Sequence, residues 1–257
     1  MSPTTDNPAT RRPLAGTAAL VTGGARRLGA VIARALHEAG AALVLHYRNS
    51  AEAATALAGE LNRIRAGSAV LASCDLLDVQ ALEQLARTAV AAFGRLDILV
   101  NNASTFYPTP IGGIDSRAWD DLIGTNLKAP LFLAQALAPA LHENRGLILN
   151  LVDIHGVRPL RRYPVYSIAK AGLIMLTKSL ARELGPQVRV NAIAPGPVMW
   201  PEAGVDEVLR KRIIERTALK RGGSPEDVAR AALYFACDAP FVTGQILAID
   251  GGRSIGW

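Results

Sequence analysis

The sequence predicts an α/β protein: a single domain with a doubly wound, seven-stranded parallel sheet flanked by helices. Three observations carry that prediction. Short apolar runs suited to buried strands alternate with longer helix-periodic segments along nearly all of the 257 residues. The first such run breaks on glycines and passes straight into a helix. Half of the residues are apolar, and about 250 residues still make one core in this class.

From Thr17, TAALVTGGARRLG reads as a strand, a glycine turn and the start of a helix that stops at Gly40. This unit can cradle a dinucleotide pyrophosphate: glycines admit close backbone approach, and the helix N-terminus offers free N–H groups. The spacing is T-G-x-x-x-R-x-G, from Thr22 and Gly23 to Gly29, with Arg27 inside the loop. The second strand, AALVLHY, ends where such folds read the adenosine ribose. An NAD site uses Asp or Glu there, whereas this chain has His46, Tyr47, Arg48, Asn49 and Ser50. A guanidinium binds a 2′-phosphate that a carboxylate would repel, so the expected cofactor is NADPH. The alternative for Arg48 is a solvated turn residue.

Ala51 to Arg65 is an alanine-rich helix, and SAVLASCDL is a third strand closing on Asp75, placed either to accept from the adenine amino group or to cap the next helix. That helix runs from Asp78 to Phe93, and the fourth strand from Leu96 to Val100. The segment NNASTFYPTPIGGID is broken by prolines and glycines, and brings Phe106 to a loop expected over the crevice, as a packing anchor or as a platform for a flat ring. Ser116 to Leu141 reads as one long helix with an irregular turn at Asn126, in GTNLKAP.

The fifth strand, Arg145 to Val152, delivers Asp153 to the crevice edge. The next helix carries Tyr166 and Lys170 at i and i+4, on one face, and continues to about Leu184. A phenol beside an ammonium group can exchange a proton, because the positive charge favours phenolate. Asp153 is either a second proton donor that shares a proton with Tyr166 or a tie for the 154–163 loop. A sixth strand, QVRVNAIAPG, is followed by a lid over about 197–221, then by a helix from Pro225 to Cys237 capped by Ser224, and by a seventh strand, GQILAID. Residues 1–15 read as a flexible tail, and Trp257 as an aromatic suited to a subunit contact.

Composition removes several function classes. The two cysteines, Cys74 and Cys237, and the four histidines have no metal-ligand spacing, so no metal is expected. The net charge of +6 comes without a basic tract interleaved with aromatics, which argues against nucleic acid. No apolar run approaches the roughly 18 residues of a membrane span, and the start lacks a secretory signal, so a cytoplasmic protein is expected. Arg158, Arg161 and Arg162 precede the Tyr166 helix, and Arg210 to Arg221 is also basic; both read as solvated faces, the first close enough to the site to steer an anionic substrate tail.

Together TGGARRLG, NNAS, Asn126, Tyr166-x-x-x-Lys170, APGPV and TGQILAIDGG make the chain resemble the short-chain dehydrogenase/reductase family from about Thr17 to Gly252. Within it, ARRLG, HYRNS, NNASTFYPTP and Asp153, where most members have serine, resemble the pteridine reductase branch. The resemblance implies a Rossmann-type fold and NADPH-dependent reduction of a pterin or folate-like substrate. It gives Tyr166 as general acid, Lys170 on the nicotinamide ribose and lowering the tyrosine pKa, and Asn126 holding a relay water. Further cofactor contacts are implied for Arg26, Leu28, Leu76, Asn102, Ala103, Ser104, Pro195, Gly196 and Val198. Substrate contacts are implied for Arg27, Ser104, Phe106, Asp153, Tyr166 and Trp200. A homotetramer is implied as well. A 3-oxoacyl-carrier-protein reductase and a non-catalytic cofactor-binding regulator are the competing readings.

Overall fold

Strand β1 (Ala18–Val21) is buried at all four positions, which is why its sequence is continuously apolar instead of alternating. It sits inside a parallel sheet with β2 (Ala42–Tyr47), β3 (Ala69–Ser73), β4 (Ile98–Asn101), β5 (Leu147–Leu151), β6 (Arg189–Pro195) and β7 (Ile246–Ile249), ordered β3-β2-β1-β4-β5-β6-β7. The computed structural model describes residues 12–200 and 206–256. Neighbouring residues of β1 face opposite sides of the sheet: Ala19 and Val21 join one apolar core, Leu20 the other. The first core is closed by α1 (Arg27–Glu38), by Leu57 and Leu61 of α2 (Ala51–Ile64), and by α8 (Pro225–Leu233). The second is closed by α3 (Val79–Phe93) and α5 (Ala129–Glu143). Strand order reverses between β1 and β4, so the loops leaving their C-terminal ends part and open a crevice.

Several boundaries differ from the sequence reading. The long helix expected over Ser116 to Leu141 is two helices, α4 (Ser116–Ile123) and α5, joined by one π-helical turn at Gly124–Lys128. The irregularity expected at Asn126 is this turn. The helix expected to reach Cys237 stops at Leu233 and continues as a second π turn, Tyr234–Asp238. A short 3₁₀ turn at Ile154–Gly156, not anticipated, follows β5. Of the expected tail over 1–15, Leu14 is buried in the first core and its N–H donates to Ala39 O, so the chain is already docked there. Within the segment expected as a lid, α7 (Glu207–Glu215) is amphipathic only weakly and buries none of its residues, while 201–205 and Trp257 lie outside the described residues. Helix α6 (Pro164–Glu183) buries both Tyr166 and Lys170. No helix among the described residues is long and apolar enough to cross a membrane.

Candidate active site

A cavity of about 460 Å³ opens at the C-terminal ends of the strands, lined from Gly23 and Arg26 at the glycine loop to Tyr166 and Lys170 on α6. Its floor depends on glycine. A Cβ on Gly29 would lie 2.2 Å from Gly23 O, and Gly23 itself has φ +60°, so neither position accepts a larger residue without displacement. Arg27 also adopts a left-handed φ of +52°, and its guanidinium donates to Trp200 O at 3.1 Å, joining the loop to the segment that follows β6. The Trp200 ring in turn lies under the Arg210 guanidinium, 5.5 Å away.

The loop is pinned from behind. Gly23 N–H donates to His46 Nδ1 at 3.2 Å, so the imidazole carries its proton on Nε2 and gives it to Cys74 O. Burial lowers the His46 pKa and keeps the ring neutral, so this residue lines the cavity as a brace, with its ring nitrogens already bonded and not available to a phosphate. Thr22 is buried and binds Val100 O while accepting from Asn102 N and Ala103 N, and the Asn102 amide returns to Thr22 O and Gly23 O. Thr22 therefore joins β1 to β4 and does not reach the cavity. Arg48 and Asp75 do line it and form an ion pair at 3.6 Å. Of the two roles open to Asp75, the cap of α3 is taken by Asp78, which accepts from Gln80 N. Tyr47, Asn49 and Ser50 stand outside the lining.

At the other end, Tyr166 Oη donates to Asp153 Oδ2 at 2.8 Å, and Asp153 Oδ1 accepts from His155 N at 2.8 Å. Both carboxylate oxygens thus act as acceptors. The phenol pKa is pushed well above its ordinary value, first by burial and then by the Asp153 charge and hydrogen bond. This reverses the expected direction, in which Lys170 would favour the phenolate. Lys170 Nζ donates to Leu151 O at 2.8 Å, and burial pulls its own pKa down to about 8. Lys170 is thus fixed beside the tyrosine without lowering its pKa.

Asn126 is buried one layer back. Its amide donates to Leu122 O and Thr105 O, and its oxygen accepts from Ser104 Oγ at 2.6 Å, so the π turn holds the loop after β4. The side chain makes this link and does not itself line the cavity. Phe106 is half exposed; its ring stacks on Tyr163 at 4.6 Å and meets Tyr166 edge-on at 4.8 Å. Phe106 and Trp200 flank the cavity wall without forming it. Thr105, Thr125, Leu151, Val152 and Met199 line it and were not anticipated, although all but Leu151 adjoin a residue that was. Tyr163, the partner of Phe106, was also missed; its sole signal was an aromatic three residues before Tyr166.

A strand, glycine loop and helix bounding a crevice whose far wall carries a buried Tyr-x-x-x-Lys pair is an arrangement for hydride transfer with proton exchange. Residues 23–254 match a family described as enoyl-(acyl carrier protein) reductase. The chain is also 36% identical to pteridine reductase 1 of Leishmania tarentolae, over 92% of this chain and 96% of that one. The chain belongs to the short-chain dehydrogenase/reductase family. Other short-chain relatives are an uncharacterized oxidoreductase of Mycobacterium tuberculosis, 37% identical over 91% of this chain and 90% of that one, and a 3-oxoacyl-[acyl-carrier-protein] reductase of Staphylococcus aureus, 34% identical over 91% and 96%. As a short-chain reductase the protein is an oxidoreductase that uses a nicotinamide cofactor. The residues fit that group: the floor at Gly23 and Gly29 has no side chain, and Arg26, Arg27 and Arg48 bring positive charge to one end.

Proposed function

We propose that the protein is an NADPH-dependent pteridine reductase of the cytoplasm, working as a homotetramer and taking dihydropterins, and dihydrofolate, to the tetrahydro form. The observation that carries this reading is the 2.8 Å hydrogen bond from Tyr166 to Asp153, where most members of the family have serine. The nicotinamide, when bound, supplies hydride to a ring carbon. Reduction of a C=N bond also needs a proton at nitrogen, and Tyr166, held as the neutral phenol, has that proton to give. Asp153 orients the hydroxyl and is the adjacent site through which the proton is replaced. Lys170, fixed by Leu151 O, holds positive charge below the tyrosine and is in position for the ribose. Arg26, Arg27 and Arg48 favour a 2′-phosphate, and the end of β2, where an NAD site would carry a carboxylate, holds Arg48, paired with Asp75. Phe106, backed by Tyr163, offers a flat surface to a pterin.

The identity to the Staphylococcus aureus enzyme favours a second reading, a reductase of 3-oxoacyl thioesters. That chemistry needs no carboxyl group beside the tyrosine. Oxidation of NADPH and of NADH, measured side by side with dihydrobiopterin, dihydrofolate and an acetoacetyl thioester, separates the two. Turnover of the pterins with NADPH is expected; turnover of the thioester alone overturns the pterin reading.

A further inference from the structure

A second cavity, of about 380 Å³, lies at the opposite ends of the strands from the crevice, where the chain enters β1, β2 and β3. Among the described residues, three arginines, Arg12, Arg65 and Arg95, line it, and no acidic residue does. Their donors are only partly used. Arg65 donates to His37 O and Ala41 O, closing the end of α1, and Arg95 Nε and Nη2 hold Asp97 at 2.9 and 2.6 Å. A guanidinium carries five N–H groups, so each keeps donors in reserve. Arg12 is exposed, and among the described residues no side-chain hydrogen bond or ion pair occupies it.

Among the described residues no carboxylate pairs with Arg12 or Arg65, and their mutual repulsion can be read from its effects. Burial, followed by the charge of Arg12, lowers the Arg65 pKa, and burial with Arg65 and Arg12 keeps the neighbouring His37 neutral. His37 is bonded to Ser68 Oγ at 2.7 Å, and Ser68 lines the cavity. The charged groups facing this cluster from adjoining elements are Glu60, which is paired with Arg34, and Asp97, which is paired with Arg95. Neither carboxylate neutralises Arg12 or Arg65. An anion entering the cavity would relieve that repulsion and meet unused donors on three sides. Phe93 adds an apolar wall on which the carbon part of a phosphate ester could rest.

We propose that this cavity is a binding site for a small phosphate-bearing anion, separate from the catalytic crevice. Strand β1 alone spans about 13 Å, at some 3.3 Å per residue, between the two sites.

The test is isothermal titration of the full chain, its crevice first saturated with dinucleotide, using inorganic phosphate, pyrophosphate and phenyl phosphate at constant ionic strength set by sodium chloride. Saturable binding is expected for at least one of them, weakened roughly ten-fold in Arg12→Gln, the scale of one charge-assisted hydrogen bond. Because Arg12 is exposed and outside the crevice, that variant should keep the wild-type melting temperature and turnover. Tighter binding of phenyl phosphate would identify an ester, and tighter binding of the inorganic ions a free phosphate. Heats no larger than those from chloride, or equal affinity in Arg12→Gln, would overturn the site.

Discussion

Asp153 accepts two hydrogen bonds, from the Tyr166 hydroxyl through one oxygen and from the His155 backbone through the other, both at 2.8 Å. One side chain therefore orients the proton donor and anchors the turn that follows β5. Replacing Asp153 with Ser keeps a hydroxyl near Tyr166 but removes the charge. Turnover of dihydropterin should fall about 100-fold, within the usual range for a lost acid–base partner, while the Kd for NADPH from fluorescence titration changes less than about three-fold. Unchanged kcat in that variant would remove Asp153 from the chemistry.

Lys170 sets a pH dependence of stability. Its pKa falls from 10.5 in the unfolded chain to about 8 in the folded one, because the ammonium group is buried. Between those values the unfolded state binds more protons, so this group makes stability rise with pH from about 8 to 10.5. Below pH 8 its burial opposes folding, by an amount on the order of 3 kcal/mol. Lys170→Met should abolish turnover yet unfold at higher denaturant than the parent at pH 7, and chemical denaturation at pH 7, 9 and 10.5 should show the gap closing.

The Arg48–Asp75 ion pair predicts cofactor choice. Arg48→Ala should weaken NADPH binding by ten-fold or more, the scale of a lost charge-assisted contact, and leave NADH nearly unchanged. Parallel titrations with the two dinucleotides measure the ratio. An equal loss for both would assign Arg48 to structure alone.

Phe106 and Tyr163 form one stacked unit, so removing either should affect the same parameter. Tyr163→Ala deletes a residue outside the cavity lining but frees the Phe106 ring, and is expected to raise KM for the pterin several-fold with kcat nearly intact, in keeping with about 0.5–1.5 kcal/mol for an aromatic pair. Steady-state kinetics on both alanine variants would reveal a mismatch.

Gly29→Ala tests the glycine floor. The added methyl would lie 2.2 Å from Gly23 O, a backbone atom with little room to move. A loss of about 2–4 kcal/mol is expected in urea unfolding, together with loss of dinucleotide binding.

The strands were legible because each is a short apolar run closed by glycine or a polar residue, and the glycine loop because AALV leads into it without interruption. The turn at Asn126 was legible as an asparagine a few residues before Pro130, inside a segment otherwise read as one helix. Partners across the fold were not. His46 sits at the end of β2, where a ribose contact was expected, yet its ring is fixed by Gly23 N and Cys74 O, which only the sheet brings together. Local spacing put Lys170 beside Tyr166 and suggested an acidic phenol; burial and Asp153, thirteen residues upstream, outweigh it. Sequence distance carries no information about which charge lies nearer once the chain has folded.

The π turn at Gly124–Lys128 has a mechanical consequence. Through Asn126 it is fastened to Leu122 behind and to Ser104 and Thr105 in front, so the break between α4 and α5 is rigidly geared to the loop that carries Phe106. Pressure applied to the outer face of those helices would be transmitted to the Phe106 ring that flanks the cavity without passing through the sheet.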